Sequence, residues 1–351
     1  MQVWIEFRKN KMALIALILL GFFYFLALFA DFFAPYRYDD DNPMYAWSPP
    51  VKVHLLNKGK KMFRPYVHPY TFTMDKYYHR IYEPERDILN PVRFFVKGHS
   101  YKFLGIWKTD VHFFGVDKGR IYLFGADNRG RDVFSRLLYG ARISLSIGLI
   151  GVAISFTLGM IIGGVSGYFG GWVDTFIMRI VEMMMLLPGF YFLLALRSAF
   201  PPEMDSRQVF ILIVVILSFI GWASLARVIR GMVMSIKENE FILAAKASGL
   251  SHFQIIVRHV LPNTLSYVSV AICLSIPGYI IGEAALSFLG LGIQEPYASW
   301  GNMLVLSQGI VNIQMYSWIL APGIAIVMVT VSFNIIGNTL RDVFDPKRDR
   351  G

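Results

Sequence analysis

From Met12 to Ala30 this chain carries no charged side chain; the run reads MALIALILLGFFYFLALFA. A helix rises about 1.5 Å per residue, so a run of this length matches the roughly 30 Å hydrocarbon core of a bilayer. Further apolar runs follow at Ile143 to Tyr168, about Thr175 to Leu196, Val209 to about Ala226, Leu265 to Phe288 and Trp318 to Leu340, with Arg179, Glu182 and Glu283 the only charges in them. Lipid satisfies no backbone N–H or carbonyl, so each run is predicted to be a helix. Six spans put both chain ends on one side. Composition agrees: 55% of the 351 residues are hydrophobic and only 17% charged, too apolar for an ordinary soluble domain of this size.

The charges orient the spans. Arg8, Lys9 and Lys11 precede the first run, as expected on the cytoplasmic side. The run is longer than the apolar core of a cleaved signal peptide, so an uncleaved anchor is expected. Arg227, Arg230, Lys237, Lys246 and Arg258 then fall inside between spans four and five, and Arg341, Lys347, Arg348 and Arg350 inside at the end. The stretch from Gly290 to Ser317 has no Lys or Arg and falls outside. The net charge of +10 is therefore a mark of topology rather than of nucleic-acid binding. Arg129, Arg131, Arg136 and Arg142 break the rule by lying outside, just before span two. The expectation for residues 123–142 is an interfacial amphipathic segment, with Val133, Phe134, Leu137 and Leu138 toward lipid and the arginines toward headgroups.

Between the first two spans, residues 34–122 form a polar insert rich in Tyr, Pro and His. Alternation in YTFTM and RIYLF predicts short strands there. Asp39, Asp40 and Asp41 are adjacent, but carboxylates on an extended chain point in alternating directions, so a solvated turn is expected rather than a metal site. The single cysteine, Cys273, lies in an apolar run, so packing alone must hold the insert together. In span two, Gly159, Gly163 and Gly167 recur every fourth residue and predict a bare helix face for close packing.

One long segment breaks the apolar pattern. NEFILAAKASGLSHFQIIVRHVLPN, from Asn239 to Asn263, contains Glu240, Lys246, His252, Arg258 and His259. Burying each of these in lipid would cost several kcal/mol, so the segment belongs to the aqueous side. Asn239 and Glu240 predict a helix start, Gly249 its left-handed end, and Ser251 with Gln254 a capping box for a second helix that stops before Pro262. Ala244 and Ala245 are small enough to let another surface approach, and Phe241 and Ile242 are candidate apolar anchors. A docking knob and a mere connecting loop both fit these residues.

The segment resembles the cytoplasmic "EAA" loop of ABC importer permeases, matched at Ala244, Ala245, Gly249, Leu261 and Pro262. Leu243 and His259 depart from that pattern. The variant spelled by Glu240, Phe241, Ala244, Ala245, Ala247, Gly249, Arg258, His259, Leu261, Pro262 and Asn263 is similar to the dipeptide and oligopeptide branch. LFGADNRGRDVFSRLLYGARISLSIG, LSFLGLGIQEPYASWGNML and SFNIIGNTLRDVFDP also resemble the second, "C"-type permease of peptide importers. The insert resembles the enlarged outer region of microcin- and oligopeptide-type relatives. The resemblance implies an all-α integral membrane protein of six transmembrane helices with the type I importer fold and a small mixed extracytoplasmic insert. It also implies a permease domain over residues 141–341, a coupling loop at 236–264 and a cytoplasmic tail at 342–351. The implied partners are a homologous second permease, two ABC ATPase subunits carrying ATP and Mg, an extracytoplasmic substrate-binding protein and a peptide cargo. In this frame Glu240, Phe241, Ala244, Ala245, Gly249, Arg258, His259, Leu261 and Pro262 are expected to couple to the ATPases, and no residue is expected to be catalytic.

The sequence has no G-x-x-x-x-G-K-[ST] run, hence no phosphate-cradling loop, and no H-E-x-x-H. A proton-coupled transporter would need ionisable groups at the membrane midplane, and the candidates are Arg179, Glu182 and Glu283. Arg179 and Glu182 are three apart and read as a local ion pair. Glu283 could be hydrated, line the substrate pathway or cap the next turn. Pro188 is expected to kink span three. A purely structural membrane anchor would need neither the glycine face nor the polar loop.

Overall fold

The computed structural model describes residues 2–55, 65–77, 80–201 and 204–344. Helix α1 (Gln2–Lys9) gives way to α2 (Lys11–Leu28) at Asn10, whose side-chain oxygen accepts from the N–H groups of Met12 and Ala13 at 3.0 and 3.2 Å. That cap fixes where the first span starts. The remaining helices are α3 (Ala30–Phe33), α4 (Val133–Phe169), α5 (Gly171–Leu186), α6 (Gly189–Ser198), α7 (Ser206–Ile236), α8 (Glu240–Ala247), α9 (His252–Ile255), α10 (Leu265–Phe288), α11 (Trp300–Met303), α12 (Ile310–Met315) and α13 (Ala321–Phe344). Among the described residues five stretches are long and apolar enough to cross a membrane: Lys11–Leu28, Val133–Phe169, Ser206–Ile236, His252–Phe288 and Ser317–Phe344. The third predicted span is broken rather than kinked, with α5 and α6 meeting at 85°. Pro188 has no N–H to continue the ladder and disfavours helical geometry at Leu187, which is extended at φ −70° and ψ 126°. Of the predicted tail 342–351, residues 345–351 lie outside the described residues.

The chain divides into two compact units. The first comprises residues up to Leu20, Ser146–Leu286 and the chain from Met328 onward. Within it α4 and α7 approach closely, which the glycine face permits. A Cβ on Gly163 would stand 2.4 Å from the Ala226 carbonyl oxygen, and one on Gly167 would stand 2.6 Å from that of Arg230. The two backbones touch there without side chains between them. Asp174 on α5 accepts from Ser166 at 2.6 Å and pairs with Arg230 at 2.5 Å, tying α4, α5 and α7 together. Val181, Trp222, Ala223 and Ala226 fill the space beside that pair.

The second unit comprises Gly21–Leu145 and Ser287–Val327 and contains the insert. Strand β1 (Tyr66–Val67) pairs with β4 (Asn90–Phe103), which pairs with β5 (Trp107–Val116), all antiparallel; β2 (Tyr70–Met74) and β3 (Arg80–Pro84) form a separate hairpin. YTFTM is thus β2, whereas RIYLF is not a strand. Ile121 and Tyr122 are instead sealed into the insert core with Val51, Val67, Val92 and Phe114, and the Ile121 N–H donates to the Tyr36 hydroxyl rather than to a neighbouring strand. The three aspartates diverge as expected: Asp39 pairs with Arg37, Asp40 with Arg120, and Asp41 lies near Arg129 and Arg131.

The expectation of an interfacial segment at 123–142 is corrected by burial. Val133 and Leu138 point into the protein rather than into lipid, and Arg131 and Arg136 are buried as well. Residues Val133 to Arg142 are the first turns of α4, which at about 1.5 Å per residue is longer than a hydrocarbon core requires. Arg142 reaches the end of α2, donating to the Ala27 carbonyl at 3.0 Å and to Asp31 at 2.8 Å. Each of the four arginines has an acidic neighbour: the buried Arg131 and Arg136 pair with Asp127 and Glu295, Arg142 with Asp31, and Arg129 with Asp41 on an exposed face.

Candidate functional site

The polar loop between α7 and α10 folds as a tight helical hairpin. Helix α7 ends at Ile236, and after a three-residue turn α8 starts at Glu240. Gly249, at φ +78°, ends α8: its N–H donates to the Lys246 carbonyl at 3.0 Å, and the Leu250 N–H reaches the Ala245 carbonyl at 3.3 Å. This pair of bonds is a Schellman stop, which only a left-handed residue can make cheaply. Ser251 and Gln254 then exchange side-chain to backbone bonds at 3.3 and 3.0 Å, the predicted capping box. Asn239 occupies the cap position of α8 without using its side chain; its carbonyl takes the N–H groups of Ile242 and Leu243 instead.

The second helix does not stop before Pro262. It passes from α9 through a π turn at Ile256–Val260 and a tight turn at Leu261–Thr264 directly into α10. In the π turn the Leu261 N–H bonds the Ile256 carbonyl, five residues back. The widened turn rearranges the carbonyls that the Pro262 ring would strike, so a proline sits in a continuous helix.

The faces of α8 differ from the sequence expectation. Ile242 and Ala245 turn inward and are buried, so neither offers a surface to a partner. Phe241, Leu243 and Ala244 are exposed, as are Phe253 and Val257 in the second half of the hairpin, with Phe253 74% exposed. Leu243, the departure from the loop pattern, belongs to that surface. Glu240, Gly249, Arg258 and Pro262 are exposed around it, while His259 and Leu261 are half-buried. The hairpin's base rests on the end of α4. Tyr168 Oη lies 2.9 Å from His252 Nδ1, Lys246 covers the Tyr168 ring, and Leu261 packs over Gly164 at 3.2 Å from where a Cβ would be. The site is thus a braced apolar knob in a polar setting.

Residues 155–350 match the family model described as binding-protein-dependent transport system inner membrane component. The chain belongs to that family. Residues 1–50 match the N-terminal transmembrane domain of oligopeptide transport permease C. The chain is 42% identical over 229 residues to the dipeptide transport system permease protein DppC of Bacillus subtilis, covering 65% of this chain and 69% of that one. It is 41% identical over 227 residues to the oligopeptide transport system permease protein OppC of Haemophilus influenzae, covering 64% and 70%. A third relative, OppC of Bacillus subtilis, is 28% identical over 344 residues, or 98% of this chain and 88% of that one. The permease is a multi-pass, non-enzymatic membrane subunit of an ABC importer.

Sequence reasoning missed a second feature of the permease, an ion cluster in the unit that holds the insert. Arg131 donates to Asp127 at 2.7 Å and to Glu295 through both guanidinium nitrogens; Arg136 donates to Glu295 at 3.1 Å and to the Tyr38 carbonyl at 2.9 Å. Burial pushes the Glu295 carboxyl up, but Arg131 and Arg136 hold it below the usual carboxylate range. Nearby Asp132, fully buried at the start of α4, is raised to about 7 by loss of solvent, although Ser135 donates to it at 2.6 Å. The cluster borders a cavity of about 270 Å³ with Arg129, Gln294 and Asn302. Glu295 lies more than 150 residues from both arginines, so no local signal reveals the pairing. Glu295→Ala should destabilise this unit by about 3 kcal/mol, because it strands the Arg136 charge away from water. Proteolysis of the insert in the variant should accelerate accordingly, and adding Arg136→Met should recover part of the loss.

The membrane unit holds a cavity of about 420 Å³ against α7 and α10, lined by Ser224, Tyr267, Ser275 and Tyr279 among apolar residues and without any charged group. Tyr279 shares a short hydrogen bond with Ser155, which also donates to the Ser218 carbonyl at 2.8 Å. Glu283 is fully buried, which removes the hydrated reading, and it does not line this cavity. Arg179 and Glu182 form the expected local pair at 3.2 Å on an exposed face.

Proposed function

We propose that this permease moves peptides across the cytoplasmic membrane by alternating access, driven by ATP hydrolysis on two ABC ATPase subunits that dock on the α8 hairpin. The carrying observation is the exposed face of Phe241, Leu243, Ala244, Phe253 and Val257, held on a braced hairpin in the loop that family resemblance assigns to ATPase coupling. Glu240, Gly249, Arg258, His259 and Pro262 shape and border that face, while Ala245 and Leu261 support it from below. The positive-inside pattern supports a cytoplasmic hairpin and cytoplasmic termini. A homologous second permease completes the pathway, and an extracytoplasmic binding protein delivers cargo to the insert side. The names of the relatives point to di- or oligopeptides as cargo. The uncharged, hydroxyl-bearing cavity suits a cargo whose side chains vary in charge but whose backbone always offers hydrogen bonds. ATP and Mg belong to the partner ATPases.

Proteoliposomes carrying both permeases and both ATPases, supplied with an extracytoplasmic peptide-binding protein, test the proposal. Uptake of a labelled oligopeptide should require ATP and persist after the proton gradient is collapsed. Uptake that follows the gradient and ignores ATP would overturn the energetics; uptake of a nickel chelate or oligosaccharide in place of peptide would overturn the cargo.

A further inference from the structure

The β4–β5 hairpin carries an apolar tip that is left uncovered among the described residues. Leu104, Ile106 and Trp107 are 44%, 69% and 65% exposed. The turn that presents them is unusual for one bathed in water. Leu104 is left-handed at φ +50°, ahead of Gly105 at φ +76°, a backbone state that water-facing hairpin turns give to Asn, Asp or Gly. Lys102 and Lys108 are paired across the hairpin just behind the tip, and both are exposed.

The direction of the hairpin is fixed by three contacts with the first span's outer end. His112 Nδ1 lies 2.9 Å from the Ala34 carbonyl. One step along β5, Phe113 packs on Phe32 and Phe33, with ring centroids 5.8 and 5.3 Å apart. At the far end Phe103 stacks on Phe29 at 5.6 Å. The hairpin therefore runs back alongside the chain from Ala34 to Phe29, toward the uncharged run that ends at Ala30. Strand residues advance about 3.3 Å each, so the turn beyond Phe103 lies deeper along that direction than Phe103 itself. An apolar tip with a tryptophan and two flanking lysines, level with the end of a membrane span, has the composition of a membrane-interface anchor.

We propose that residues 104–107 insert into the bilayer leaflet at the C-terminal end of α2, with Trp107 at headgroup level and Lys102 and Lys108 against lipid phosphates. The apolar surface of the tip is continuous, through Phe103 and Phe29, with the exposed side chains Phe22, Phe25 and Leu28 of the span. The lipid that must surround α2 is thus the occupant nearest to hand. The anchor would hold the long insert down at the membrane and fix its orientation around the outer mouth.

The test uses the full permease with Cys273→Ser, reconstituted in nanodiscs of zwitterionic and anionic phospholipid. An environment-sensitive fluorophore is attached at Ile106→Cys, at Trp107→Cys as an independent tip position, and at Lys118→Cys at the other end of the hairpin. Spin-labelled lipid should quench both tip probes at least about twofold and leave the Lys118 probe unchanged, with blue-shifted emission at the tip alone. Tip probes with aqueous emission and no lipid quenching would overturn the proposal. So would tip probes that become shielded only when the extracytoplasmic binding protein is added, since that result would make the tip a protein-docking surface.

Discussion

Phe241→Asp in the assembled transporter is expected to lower cargo-stimulated ATP hydrolysis at least about tenfold while leaving the permease folded, since a central aromatic anchor commonly carries about 2 kcal/mol or more of an interface. The measurement is ATPase activity in proteoliposomes beside the thermal unfolding temperature of the permease alone. The informative comparison is with the two alanines. Ala244 faces water, so Ala244→Trp should block ATPase co-purification without shifting the unfolding temperature. Ala245 is buried against its own chain, so Ala245→Trp should lower that temperature first, through overpacking of about 1–3 kcal/mol. Equal behaviour of the two variants would refute the assignment of the docking face.

Gly163→Ala is the second substitution with a large expected effect, and its sign runs against helix propensity. Alanine in an open helix position normally gains about 1 kcal/mol over glycine. At Gly163 the added carbon would meet a backbone oxygen at 2.4 Å, and a backbone cannot rotate away as a side chain can. The α4 and α7 helices must separate, and the permease in detergent should unfold about 5 °C lower, in line with about 2 kcal/mol of strain. Gly231 on α7 has nothing within 4 Å of its would-be Cβ, so Gly231→Ala is the matched control and should be neutral or stabilising. A Gly163→Ala protein as stable as the Gly231→Ala protein would show that the stripe is not what sets the helix spacing.

What was legible in the sequence was what short-range chemistry decides. Apolar runs with few or no charges marked the spans, the glycine period marked a packing face, and Gly249 with Ser251 and Gln254 marked the hairpin, because each of these is settled within a few turns of helix. Misreadings came where distant residues decide. Val133 and Arg136 read as an interfacial face until Glu295, 159 residues away, supplies the counter-charge. Ile242 and Ala245 looked as available as Phe241 and Ala244, since nothing in an eight-residue helix says which side the chain itself will cover. RIYLF has the alternation of a strand but lacks a strand beside it. Pro262 read as a stop because a π turn, which accommodates proline by shifting the register of bonds, leaves no mark in composition.

The unbroken passage from α9 through the π turn into α10 has a mechanical meaning. From His252 to Phe288 the helix is a single arm, and at about 1.5 Å per residue it is roughly 55 Å long. A tilt of about 10° at one end of such an arm displaces the other by about 10 Å, so under the proposed docking a small push on the knob would become a large stroke at the far end of the helix. A flexible joint at Pro262 would dissipate such a stroke, whereas prolines carried inside a continuous helix, at Pro262 and again at Pro277, would let it pass.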